Sequence, residues 1–387
     1  MRLLFLDSPA FAKQDMLDAF AECKISCDLF FHSSYNERKD PAFDAAFDQA
    51  VSGKNYDFVF SFNYHPVLSN CCLRHQIRYI SYVYDNPHVA LYSYTLLNPC
   101  NYVFLFDKAT WLTIQNAGIP TVYYLPLAAN VERLTSMKCP DHLLPIVSSD
   151  VSFVGSLYNE DHHLFERLTD ISPYTRGYLD AVMAAQQKVY GCNFLEDLLT
   201  PEITGDLQKS CPYSPLSDGT ETDAYVYANY FLCRKITSRE RISLLKTASR
   251  QFQVKLFTHQ PLAELSDAQF IGPIDPYDTM PFVFQHSRIN LNITLKSIQT
   301  GIPLRCMEIM GSGGFLLTNF QEDLLDDFIP KEDFVFYESE TDFIRQIAWY
   351  LSHEKERQQI IDNCMGKMKE SHTFVHRVHA MMDILYN

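Results

Sequence analysis

The chain has 387 residues, with 32 Lys and Arg against 47 Asp and Glu, a formal net charge of −15. Hydrophobic residues make up 47% and charged residues 20%, a globular mixture too apolar for a disordered chain. The acidic balance argues against a general affinity for nucleic acid or anionic membrane, and no apolar run approaches the ~20 residues that span a bilayer. The length predicts roughly two or three domains. Residues 2–6 are an apolar run too short for an export signal and read as a first strand. The eleven cysteines are odd in number, contain no CxxC pair and match no zinc spacing. Reduced thiols in a cytoplasm are the expectation.

Over residues 1–135, apolar runs at 2–6, 28–31, 57–62, 79–84, 102–106 and 121–125 alternate with stretches of helical spacing. Phe11, Met16, Leu17, Phe20 and Ala21 mark one such stretch; Phe43, Ala46, Phe47 and Ala50 mark another. Strands that are apolar on both faces predict a parallel sheet covered on both sides. The runs end in Asp7-Ser8, Asn63-Tyr64-His65, Asp85-Asn86-Pro87 and Asp107-Lys108. Ligands of open α/β sheets sit beyond the strand carboxyl ends. Asp and Asn at these places also cap the helices that follow.

Residues 131–149, with Pro140 and Pro145, read as a linker. A second alternating unit opens at 150–156. A mainly helical insertion over about 160–250, broken by a polar stretch at 211–223, interrupts it. Apolar runs resume at 254–258, 270–272, 289–293, 315–318 and 334–337. Residues 150–370 thus read as a second domain and 371–387 as a terminal helix. Ser339-Glu340-Thr341-Asp342 resembles a capping box, with Asp for the usual Glu, ahead of an amphipathic helix. The whole reads as an α/β chain: two Rossmann-like domains in tandem with a cleft between them, the second carrying the insertion.

Residues 286–319 carry the densest signal. Ile289, Leu291 and Ile293 alternate with Asn290, Asn292 and Thr294, so one strand face is apolar and the other holds two amides and a hydroxyl. Buried amides need partners, which makes Asn290 and Asn292 either an internal network or ligand contacts. Gly301-Ile302-Pro303 reads as a helix start, with Pro303 near the first helical position. Arg305 and Glu308 then share a face near the helix N-terminus, where free N–H groups and a guanidinium suit a diphosphate. Glu308 could accept ribose hydroxyls. The same pair also fits a solvated ion pair worth little. Gly311-Ser312-Gly313-Gly314 ends the helix, and Gly155-Ser156 after the first strand of the second unit would let the backbone approach a phosphate.

On these residues the chain resembles the CgeB-like, spore-maturation-type glycosyltransferases of bacteria. The matching stretches are SRINLNIT (287–294), GIPLRCMEIMGSGGFLLTN (301–319), EDFVFYES (332–339), YLSHEKER (350–357) and HTFVHRV (372–378), with YDNP (84–87) and FVGSLYNED (153–161) upstream. The resemblance implies the GT-B fold and a sugar moved from a UDP-, GDP- or dTDP-linked donor to an acceptor hydroxyl on a protein or surface glycan. It implies no cofactor beyond that donor and no catalytic metal; the chain has no D-x-D triplet. In the related E-x7-E motif the second Glu lies in a stretch like Glu308–Gly313, giving Glu308 the ribose-binding role, while the first Glu would fall on Thr300. The donor-binding set is then Gly155, Ser156, Asn290, Asn292, Arg305 and Glu308. Asp85, with His65 and His88 behind it, is the candidate base for the acceptor hydroxyl. Two other readings stand beside this one: a GT-B-fold binding or assembly protein without turnover, and a nucleotide-sugar epimerase.

Overall fold

Six short runs of β-forming residues in the first part of the chain become strands, and the inner ones are buried on both faces. Strand β3 (Phe58–Phe62) is buried at every position, as is all but the first residue of β1 (Arg2–Leu6) and of β4 (Arg78–Val83). Such strands can only lie inside a sheet with helices over it. With β2 (Ser26–Phe30), β5 (Asn101–Leu105) and β6 (Val122–Tyr124) they pair in parallel in the order β2-β1-β3-β4-β5-β6. The computed structural model describes residues 1–159, 163–216 and 218–386.

A second sheet is built from β7 (Ser149–Val154), β8 (Val254–Phe257), β9 (Gln269–Phe270), β10 (Ser287–Asn292), β11 (Leu316–Asn319) and β12 (Val335–Tyr337). Its order is β12-β11-β10-β7-β8-β9, and every pair is parallel. Counted from β7, this is the Rossmann order, whose direction of winding reverses between β7 and β10. The alternation therefore predicted both sheets, with strand ends shifted by a residue or two.

The chain folds into two units. The first holds residues 1–128, 214–222 and 373–387; the second holds 129–213 and 223–372. The polar stretch noted at 211–223 is thus where the chain leaves the second unit. Residues 214–222 join the first by an antiparallel bridge of Gly219 to Ser93, with Tyr94 N–H donating to Asp218 O at 3.1 Å. Buried Arg38 fixes this strap: it lies 3.8 Å from Asp218 and 3.4 Å from Glu221. The terminal helix Phe374–Tyr386 also belongs to the first unit, where it packs on the helix Lys13–Glu22 and Arg377 Nη2 donates to Leu127 O at 3.0 Å. No helix among the described residues is long and apolar enough to cross a membrane.

The Gly-rich run at 311–314 has a packing reason as well as a turn reason. Helix Leu304–Gly311 has Pro303 at its N-cap, next to the first helical position, and the extended ψ of 151° there precedes the first helical residue. Gly313 takes φ +77°, and a Cβ on Gly314 would sit 2.7 Å from Phe284 O and 2.8 Å from Asn290 Nδ2. Alanine at 314 should cost about 1–3 kcal/mol by overpacking. Urea unfolding of Gly314→Ala measures this; a variant as stable as the parent would refute the close approach.

Ser339 caps the helix Glu340–Ser352, its Oγ accepting from Asp342 N–H at 3.2 Å. Asp342 reaches back to accept from Glu338 N–H at 3.2 Å, one residue before the cap. The shorter Asp thus completes a variant of the capping box.

Candidate functional site

In the second unit the reversal of winding opens a crevice outside the carboxyl ends of β7 and β10, where ligands of this sheet type bind. Gly155 and Ser156 follow β7 directly. Gly155 takes φ +156°, which side chains rarely adopt, and Ser156 Oγ accepts from Tyr158 N–H at 2.7 Å to close a tight turn. Tyr158 is held at φ +52°.

Beyond β10, residues 293–303 form a loop gripped by one face of the helix Cys233–Ser249. Thr237 Oγ1 accepts from Lys296 N–H at 3.0 Å, and Glu240 lies 3.3 Å from Lys296 Nζ, both carboxylate and ammonium being buried. Burial lowers the Lys296 pKa, and the Glu240 charge pulls it back up. Arg241, one turn on from Thr237, donates from Nε to Ile293 O at 3.0 Å and from Nη1 to Ser156 O at 2.6 Å. One guanidinium therefore ties the loop after β7 to the loop after β10, across the crevice.

The far part of the loop is held from β11. Asn319 Oδ1 accepts from Thr294 N–H at 2.8 Å, Asn319 Nδ2 donates to Gln321 Oε1 at 2.8 Å, and Gln321 Nε2 donates to Gly301 O at 2.7 Å. The helix Leu304–Gly311 starts at this edge. Arg305 Nη1 donates to Glu308 Oε2 at 2.8 Å, and the two side chains are 26% and 20% exposed. The Arg305 guanidinium also stacks over Phe284, 5.3 Å from the ring centre. Arg305 reaches Arg241 electrostatically. Burial lowers the Arg241 pKa and Arg305 lowers it further, while Tyr158, Glu240 and Tyr337 act in the opposite sense.

Asn290 is spent inside the sheet, and the Nδ2 of Asn292 is bonded there too. Asn290 Oδ1 accepts from Ser152 Oγ at 2.8 Å and its Nδ2 donates to Phe284 O at 3.0 Å. Asn292 Nδ2 donates to Thr294 Oγ1 and Thr318 Oγ1, both at 2.9 Å. Of the two roles open in the sequence, the internal network is the one these bonds build. Gly155, Ser156, Arg305 and Glu308 stand at the carboxyl edge of the sheet. Arg241, Lys296, Asn319 and Gln321 join them there without having been singled out. An Arg in the otherwise core-facing helix register, and an Asn ending β11 as Asn292 ends β10, were the signals available.

In the first unit, Asp85 lies beyond β4, exposed, with Oδ2 accepting from Asn63 Nδ2 at 2.8 Å. Asn63, at φ +56°, also accepts from the N–H groups of Tyr84 and Asp85 at 2.9 and 3.1 Å. Asp107 fits the capping role, accepting from Ala109 N–H at 3.1 Å, and Asp7 pairs with Lys13. His65 is buried, donates from Nε2 to Phe62 O at 3.1 Å and meets Tyr35 edge-on. Burial, helped by the nearby His88 charge, pushes its pKa down to about 3. His65 is therefore a neutral imidazole packed in the interior.

Residues 238–383 match the family model described as glycosyl transferase-like. The match begins three residues before Arg241 and includes Arg305 and Glu308. Three solved structures span the chain from end to end. Sucrose-phosphate synthase from Thermosynechococcus elongatus is 12% identical, with 100% of this chain and 99% of that one covered at a TM-score of 0.56. A glycosyltransferase from Rickettsia africae is 9% identical over 100% and 99% of the two chains, with a TM-score of 0.52. Anabaena HepE in complex with UDP-glucose is 12% identical over the same shares, with a TM-score of 0.51. The chain has the GT-B fold. At these identities the likeness speaks for the GT-B fold alone. No curated protein sequence matches the chain.

Proposed function

We propose that the chain is a glycosyltransferase whose second unit binds the diphosphate of a nucleotide-sugar at the carboxyl ends of β7 and β10. The observation that carries this reading is Arg241 joining the loops after β7 and β10 at the reversal of the Rossmann sheet, with Arg305 and Glu308 at the same carboxyl edge. The diphosphate would take charge from Arg305 and the N–H groups of Gly155, Ser156 and the helix start; Glu308 would accept the ribose hydroxyls. The glycosyl transferase-like match over 238–383 supports it, as do HepE structures with UDP and UDP-glucose bound.

In the transfer, the bond from the anomeric carbon to the diphosphate oxygen breaks and its electron pair leaves with the diphosphate. Charge grows where the guanidinium waits, which lowers the barrier. The acceptor oxygen bonds to the anomeric carbon and gives up its proton. We assign Asp85 as the base that takes it. It is exposed, fixed by Asn63 and caps no helix. The buried neutral His65 has no part in the chemistry. Asn290 and Asn292 support the site from behind and touch no ligand.

Thr300, standing where the E-x7-E pattern has its first Glu, keeps a second reading open: a nucleotide-sugar binder without turnover. A panel of UDP-, GDP- and dTDP-sugars, assayed for nucleotide release, separates the two. We expect slow release with one donor, and Glu308→Ala to weaken binding of that donor at least about tenfold, the equivalent of about 1.4 kcal/mol. Binding without release supports the second reading. No binding to any donor would overturn the assignment.

A further inference from the structure

The helical insertion builds a second concavity that the nucleotide crevice does not use. About 50 Å³ of it is enclosed and the rest opens to solvent, and Tyr158, Phe165, Tyr230, Phe231, Arg234 and Lys235 line it. A π-helical turn, Tyr227–Leu232, precedes the helix Cys233–Ser249 and presents Tyr230 and Phe231 here. Such turns recur at functional sites.

The charges in this pocket are unbalanced. Lys235 is matched by Glu166, 2.5 Å away on a carboxylate that is 60% exposed. Arg234 makes no hydrogen bond or ion pair among the described residues, and its Nε is buried without a partner. Among the described residues its guanidinium lies over two rings, 5.9 Å from the centre of Tyr158 and 5.8 Å from that of Tyr230. A buried donor left unmade costs about 1–3 kcal/mol, more when charged. Tyr158 is shared: Arg241 of the crevice lies 4.8 Å from its ring centre, so the pocket and the crevice adjoin through one aromatic ring.

We propose that this pocket takes an anionic monosaccharide, its phosphate or carboxylate on Arg234 and its ring against Tyr158 and Tyr230. As the acceptor's place, this rests on the glycosyl-transfer reading above; as an oxyanion pocket, it does not. A guanidinium offers the planar fork that phosphate and carboxylate match, and aromatic faces suit the C–H face of a sugar ring. The enclosed space suits the charged group, and the open mouth leaves room for the ring.

The test is calorimetric titration of the full chain with glucose 6-phosphate, glucuronate and glucose, with and without saturating UDP. We expect one of the two anionic sugars to bind and glucose not to, with binding kept under UDP. The sugar that binds tells phosphate from carboxylate. Arg234→Ala should weaken that binding at least about tenfold and leave the UDP affinity of the same preparation within a factor of about two, which also certifies its fold. Lys235→Ala should weaken it less. The proposal is overturned if neither anionic sugar binds, if UDP abolishes the binding, or if Arg234→Ala leaves it unchanged. If an anionic sugar binds through Arg234 and no nucleotide binds at all, the pocket stands and the transfer reading falls.

Discussion

Arg241→Met is expected to lower the stability of the second unit by about 2–5 kcal/mol and to weaken nucleoside diphosphate binding at least about tenfold. The guanidinium satisfies two carbonyls at once, Ser156 O after β7 and Ile293 O after β10. Methionine fills much of the space and donates nothing. Each carbonyl left unpaired in a buried place costs about 1–3 kcal/mol. The affinity loss follows from geometry as much as from charge, because the two loops that would cradle the diphosphate lose their common tie. Arg241→Lys separates these contributions. Lysine keeps the positive charge but offers a point donor in place of a planar fork, so it cannot span both carbonyls. It should recover part of the affinity and little of the stability. Urea unfolding and UDP titration of the three proteins check this. A methionine variant as stable and as tightly binding as the parent would show that the tie across the crevice carries no weight.

The residues that made the fold legible in the sequence were those whose neighbours did not matter. An apolar run such as Phe58–Phe62 is a buried strand whatever lies beside it, and Ser339 caps a helix with a local bond. What stayed hidden depended on residues far apart in the chain. Arg241 owes its importance to carbonyls at 156 and 293, and nothing near 241 announces them. The choice between ligand and network for Asn290 was decided by Ser152 and Phe284, which parallel pairing and a crossover bring to it. Gly314 reads as a helix-end glycine, yet the Asn290 amide above it also demands the missing Cβ. The strap 214–222 is held by Arg38, nearly half the chain away, so its polar composition showed a break in the helices and not its destination. In the site, the ion pair of Arg305 and Glu308 was legible because it is local. The hold that Asn319 and Gln321 keep on the loop before the helix Leu304–Gly311 was not.

Acid should expose the state of His65. Its pKa lies at about 3 in the folded protein against 6.5 for an ordinary imidazole, with burial as the main cause. Below pH 6.5 the unfolded chain therefore takes up a proton that the folded chain refuses. The stabilisation is complete above that point and is lost as pH falls towards 3, by about 1.4 kcal/mol per pH unit at the steepest. His65→Gln can still donate to the Phe62 carbonyl but has no proton to gain. The parent should be the more stable near pH 7, and its advantage should shrink steadily below about pH 6. Acidic groups titrate in both proteins, so the difference between the two stability curves reports His65 together with its coupling to His88. Curves that run parallel down to pH 4 would mean that His65 keeps an ordinary pKa. The same variant bears on the chemistry. A base needs access to the substrate and a pKa near the working pH, and His65 has neither the exposure nor the proton affinity. Turnover by His65→Gln should therefore match the parent near neutrality, while Asp85→Asn should lose most of it. A reversal of that pattern would move the base from the exposed carboxylate to the buried ring.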